Sequence, residues 1–172
     1  VLICNGEIYN SPELRDTLTS LGHRFKTETD VEVILHLYEE HGENCVRLLR
    51  GMFAFALWDR TKKRLLLARD QMGQKPLFFV QGDDRLFFAS EVKALLDSGL
   101  VRAEPELEGL WHYVSLRFMP DAFTFFKGIH KLPAGSYLVY EAGATRIQRY
   151  WDIDFINKHG GTEKSVEEGL HD

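Results

Sequence analysis

Residues 52–89 read MFAFALWDRTKKRLLLARDQMGQKPLFFVQGDDRLFFA. Four runs in this stretch are apolar or small throughout, at 52–58, 65–68, 76–80 and 86–89. Runs of this length without polar alternation are expected of strands covered on both faces. Turn signals separate them: Asp59-Arg60-Thr61, Gln71-Met72-Gly73 and Gly82-Asp83-Asp84. A parallel pair needs a crossover of about a dozen residues or more, so connections this short predict antiparallel hairpins.

Outward from this block the period changes to that of helices. Ser11-Pro12 offers a capping side chain and then a proline at the first helical position. Leu14, Leu18 and Leu21 then share a face, and Gly22 stops the helix. Thr29-Asp30-Val31-Glu32 has the spacing of a capping box, and Val31, Ile34, Leu35 and Tyr38 form the stripe of a helix ending at Gly42. Residues 1–4 read as a buried strand. Downstream, Ser90 is the expected cap of a helix carrying Val92, Leu95 and Leu96, with Gly99 as its stop. Leu107, Leu110, Trp111 and Val114 make another helical face, and 136–140 read as a strand after Pro133-Ala134-Gly135. Residues 157–163 are polar and Gly-rich, as a linker is. The expectation is an α+β fold of stacked antiparallel sheets with helices outside.

Composition narrows the function classes. The chain has 172 residues, room for one full-sized core. Hydrophobic residues at 44% and charged residues at 27% exclude a disordered class. A net charge of −5 without a basic face argues against nucleic acid and anionic membrane surfaces as partners. No run approaches the ~20 apolar residues of a membrane span. Two cysteines make no disulfide framework, which favours a reducing compartment and a cytoplasmic location. The opening VLICNGEIYN begins inside a strand-like run without an initiator Met, so a piece of a longer protein is expected.

Most catalytic signatures are absent. There is no GxGxxG, Walker loop, HExxH or GxSxG. The seven histidines are scattered, and His36 and His41 are five apart, the wrong spacing for two ligands on one helix. No residue is assigned as a metal ligand on that basis. Cys4 reads as a small buried strand residue in preference to a nucleophile, because no base lies beside it in sequence. Asn5-Gly6-Glu7-Ile8-Tyr9-Asn10 admits two readings. Asn-Gly after a strand is a turn. A side-chain amide next to a glycine N–H is also the composition of an oxyanion hole.

Six strings occur in order: NGEIYN, TDVEVILHLYEEHG, GMFAFALWD, LLLARDQMGQKPLFF, FASEVKALL and FKGIHKLPAGSYL. Together they resemble the glutaminase domain of class II glutamine amidotransferases, specifically the asparagine synthetase branch, over about residues 1–155. The resemblance implies a four-layer α-β-β-α sandwich of the Ntn-hydrolase type, incomplete at its amino terminus, with residues 156–172 as linker and start of a synthetase domain.

The resemblance also implies roles. Asn5, through its side chain, and Gly6, through its N–H, match the family's oxyanion hole. Gly6 and Glu7 lie where the substrate amino group is held. Asp30 matches the carboxylate that pairs with the glutamine ammonium, a role compatible with its charge at a helix start. Arg69 and Asp70 read as an internal structural pair, and Glu91 and Lys93 as structural. The family's nucleophile is an amino-terminal cysteine whose own α-amine is the base. Neither it nor the arginine that holds the substrate carboxylate is in this sequence. Cys4 has no free α-amine and cannot replace it. The fragment is therefore expected to be inactive alone and to carry no cofactor, with ATP and magnesium belonging to the synthetase domain. Expected partners are glutamine, that synthetase domain and, from the family's habit of pairing, a homodimer mate. Two alternatives stay open: an amidotransferase with another acceptor, and a non-catalytic glutamine- or partner-binding module.

Overall fold

The computed structural model describes residues 1–120 and 123–153. The linker expected at 156–172 lies outside the described residues. The elements run β1 (Leu2–Ile8), α1 (Ser11–Ser20), α2 (Glu32–His41), a 3₁₀ helix (Gly42–Leu48), β2 (Gly51–Asp59), β3 (Arg64–Arg69), β4 (Phe78–Gln81), β5 (Leu86–Ala89), α3 (Val92–Asp97), α4 (Leu107–Leu116), β6 (His130–Lys131), β7 (Ser136–Glu141) and β8 (Ala144–Arg149). Two antiparallel sheets result, ordered β1-β2-β3-β7-β8 and β5-β4-β6. The expected α+β class with antiparallel sheets is what the chain adopts.

The runs at 52–58 and 65–68 are covered on both faces except at Trp58, which is 38% exposed at the end of β2. In β2 the side chains alternate by face. Phe53, Phe55 and Leu57 join Leu18, Val33, Ile34 and Leu37 in a core beneath α1 and α2. Ala54 and Ala56 face the other way, toward Leu77, Phe79 and Leu132 of the second sheet's layer. Leu66 and Leu67 divide in the same manner between the two cores. Burying a side chain such as Phe53 fully contributes about 1.5–3 kcal/mol. The small Ala54 and Ala56 leave room for the sheets to pack face to face.

Two of the three expected hairpins form. β2 pairs with β3 and β4 with β5, both antiparallel. β3 and β4 do not pair, because the chain changes sheets between them. The reason is Asp70. Its buried carboxylate accepts the N–H groups of Phe53, Met72, Gln74 and Lys75 at 2.9–3.2 Å, so the chain wraps around one side chain. Arg69 holds the exit by donating to the carbonyls of Lys75 and Leu132, each at 2.8 Å. Both residues are structural, as expected, and work largely through backbone groups. Glu91 and Lys93 are exposed, so no buried structural role is visible for them.

Several local readings need correction. Residues 1–4 do not form a buried strand: β1 is the edge of its sheet, and Ile3 is 65% exposed. Leu21 is exposed as well, while Leu18 alone of its helix is fully buried. Ser11 is not the cap of α1; Asn10 is, and its side chain spans to Leu48 O and Arg50 N instead. The capping box at 29–32 does not close. Glu32 turns back to accept the N–H groups of Lys26 and Thr27, each at 2.7 Å. α4 forms where its stripe predicts, but Leu107, Trp111 and Val114 are exposed. The helix is seated through Gly109, where a Cβ would stand 2.2 Å from Thr124 O. The strand β8 was not expected, since ATRIQR is an exposed edge with little apolar signal.

Candidate active site

NGEI is strand, not turn, since β1 continues through Asn5, Gly6 and Glu7 to Ile8. Register fixes what each residue offers. Asn5 lies opposite Ala54, Gly6 opposite Phe53 and Glu7 opposite Met52. Val1 and Trp58 exchange both backbone hydrogen bonds, and Tyr9 N donates to Arg50 O. Antiparallel alternation therefore turns the odd-numbered backbone groups of β1 toward β2 and the even-numbered ones toward its open edge. The N–H groups of Gly6 and Ile8 both point out of the sheet. Asp30 takes one of them: its Oδ2 accepts Ile8 N–H at 2.7 Å. The Gly6 N–H remains on the edge as a donor.

Gly6 has a second requirement. Its φ is +144°, and a Cβ there would stand 2.0 Å from Met52 O. The sequence reading assigns this glycine the backbone N–H of an oxyanion hole. The close approach that the fold imposes is to β2.

The side chains of β1 alternate as well. Leu2, Cys4 and Ile8 pack on the helix side. Asn5 points the other way, into a cleft of about 270 Å³ between the sheets. The cleft is bordered by Ile3 and Asn5 of β1, Ala54 and Ala56 of β2, and Phe88 to Ser90 at the end of β5. Asn5 Nδ2 lies 3.5 Å from Ser90 Oγ, a long contact that links the two sheets. Ser90 is thus a site neighbour that sequence reading missed. It was read as a helix cap, but Glu91 holds that position on α3. Glu7 is exposed, leaving its carboxylate open to solvent.

The thiols are unsuited to attack. Burial, then the nearby Asp30 carboxylate, push Cys4 up to about 11. Burial pushes Cys45 up to about 12. Neither is a thiolate near neutral pH. The site therefore brings together donors at the open edge (Gly6 N–H, Asn5 Nδ2), a carboxylate at the same edge (Asp30) and a cleft, with no activated nucleophile among the described residues.

Comparison with known proteins gives one direction. A family model described as a glutamine amidotransferase domain matches residues 1–151. The chain is 38% identical over 89% of its length to asparagine synthetase [glutamine-hydrolyzing] 3 of Bacillus subtilis, covering 25% of that protein. It is 43% identical over 88% of its length to a putative asparagine synthetase of Mycobacterium bovis, covering 24%. It is also 35% identical over 96% of its length to amidase chyE of Penicillium rubens, again covering 24%. The chain thus spans about a quarter of the length of these relatives. Among solved structures, the B. subtilis glutamine phosphoribosylpyrophosphate amidotransferase shares its fold with a TM-score of 0.64 at 21% identity, over 88% of this chain and 29% of that one. Among the described residues no helix is long and apolar enough to cross a membrane. With its two antiparallel sheets, the edge donors of β1 and a family match over nearly its whole described length, the chain belongs to the glutamine amidotransferase domain family.

Proposed function

We propose that this chain is the glutamine-binding module of a cytoplasmic enzyme that releases ammonia from glutamine and uses it to amidate aspartate. The observation that carries this reading is the open edge of β1, where Gly6 offers its N–H, the neighbouring Asn5 borders a cleft and Asp30 stands at Ile8. The glutamine ammonium pairs with Asp30, with Glu7 exposed nearby. A thiolate adds to the side-chain amide carbon, and the carbonyl oxygen becomes an oxyanion. Asn5 Nδ2 and Gly6 N–H donate to that oxygen, where fixed donors act most strongly. The amide nitrogen takes a proton and leaves as ammonia, and water then cleaves the thioester to give glutamate. Neither Cys4 nor Cys45 supplies this thiol, so the described residues bind and orient glutamine and a cysteine elsewhere in the parent cuts it. This chain by itself is then inactive. The names of the bacterial relatives support aspartate as acceptor. ATP and magnesium belong, in this proposal, to a synthetase domain of the parent.

A second reading keeps glutamine hydrolysis and changes the acceptor. The similarity to amidase chyE, and to amidase chry2 of Gibberella zeae at 34% identity, favours it. One assay on the intact parent separates the two. Glutamate release together with ATP- and aspartate-dependent asparagine formation supports the first. Glutamate without asparagine supports the second, and no glutamate release overturns both.

A further inference from the structure

Away from the cleft, α2 presents His36 and Glu39 on one face, three residues apart. The turn after α1 brings His23 to the same point. His23 Nδ1 lies 3.1 Å from His36 Nδ1. Glu39 Oε2 lies 3.3 Å from the first and 3.2 Å from the second. Three donor atoms therefore form a nearly equilateral triangle. A zinc ion bound at about 2.0–2.1 Å with tetrahedral angles sets its ligands about 3.3 Å apart. The triangle has the dimensions of one face of that tetrahedron.

The far sides of both rings agree with this. His23 Nε2 is 2.9 Å from Glu40 Oε1. His36 Nε2 is buried without a hydrogen-bond partner, and the nearest carboxylate oxygen, Glu32 Oε1, is 3.7 Å away. Glu40 behind His23 favours hydrogen on that ring's Nε2, the usual outer support of metal-bound imidazole, whereas Glu32 stands behind His36 beyond hydrogen-bond distance. With hydrogen on both Nε2 atoms the two Nδ1 lone pairs face each other at 3.1 Å, and a cation bound between them satisfies both. Phe25 packs edge-on against the His36 ring, 4.5 Å between centroids, and fixes its plane. Glu32, Glu39 and Glu40 give the pocket negative potential.

We propose that His23, His36 and Glu39 form a binding site for a divalent zinc-class cation, with water in the open fourth position. Two imidazoles and one carboxylate suit zinc better than magnesium or calcium, which prefer all-oxygen shells. The ion ties the turn after α1 to α2, the helix that follows Asp30. Its role is to hold that helix in place, apart from the chemistry at β1.

The test is metal titration of the intact protein after chelator dialysis, without ATP. Co²⁺ serves as the spectroscopic probe and Zn²⁺ as its competitor. The expected result is one equivalent giving the visible absorption of four-coordinate Co²⁺, displaced by Zn²⁺, with a rise in Tm on Zn²⁺ addition. His23→Asn and Glu39→Gln should each remove that equivalent or weaken it by more than tenfold. Glu40→Gln should weaken it about 10–100-fold. His41→Ala, exposed and outside the triangle, should bind as the parent does. Glu39 is 62% exposed, so its variant reads the site without disturbing the fold. Absence of the Co²⁺ band, or undiminished binding in both His23→Asn and Glu39→Gln, overturns the assignment.

Discussion

Asp30 reaches across from the start of α2 to accept the backbone N–H of Ile8 at 2.7 Å. Through this one bond the second helix is tied to the open edge of the first strand, two residues from Gly6. One Asp30 oxygen is committed to the fold, and the other has no hydrogen-bond donor among the described residues.

Asp30→Asn should therefore act mainly on substrate binding. The amide can still accept from Ile8 N–H, but its charge is gone. A hydrogen bond to a charged group contributes about 1.5–3 kcal/mol, so kcat/KM for glutamine should fall roughly 10–100-fold. Steady-state glutamate release in the parent enzyme measures this, and activity with added ammonia should not change.

Asn5→Ala removes a donor from the cleft and the contact to Ser90. Loss of one oxyanion donor typically costs about 10²–10³ in kcat. Glutaminase turnover should fall by that amount while ammonia-dependent synthesis is spared. Loss of both activities would mean that Asn5 is mainly a strut between the sheets.

Gly6→Ala tests the strand pairing directly. The added Cβ would meet Met52 O at 2.0 Å, at a φ of +144° that other residues avoid. Gly51 is under the same constraint, since its Cβ would lie 2.1 Å from Glu7 O. Either substitution should destabilise by about 2–4 kcal/mol, read as a lower urea midpoint.

Asp70→Ala strands four amide N–H groups and undoes the corner between the sheets. A buried group left without its partner costs about 1–3 kcal/mol. With several orphaned at once, a loss of about 4 kcal/mol or more is expected, or failure to accumulate folded protein on expression.

Stability in acid should depend on Glu32. Burial by itself would raise its carboxyl. Hydrogen bonds from the Thr27 hydroxyl and from the Lys26 and Thr27 amides, with His36 close by, outweigh that and bring it down to about 2. The folded state thus binds this proton less readily than the unfolded chain, whose value is about 4.5. The stabilisation is complete above pH 4.5 and is lost as pH falls toward 2. Urea midpoints measured between these limits should drop more steeply for the parent than for Glu32→Gln.

The pattern of layers is legible in the amino-acid sequence. Continuous apolar runs at 52–58 and 65–68 are legible because burial on two faces acts on each residue locally, and six strings in order carried the family. The sequence also put Asn5, Gly6, Glu7 and Asp30 forward as one set. Tertiary structure alone decided what those residues can offer. Which N–H groups of β1 face outward depends on its register with β2, and Ser90 meets Asn5 only because the chain changes sheets at Asp70. His23 and His36, thirteen residues apart, show no helical spacing, and their meeting is made by the turn between two helices. Local patterns record which side of an element is buried. Contacts between distant residues depend on register and packing, which no single stretch of chain specifies.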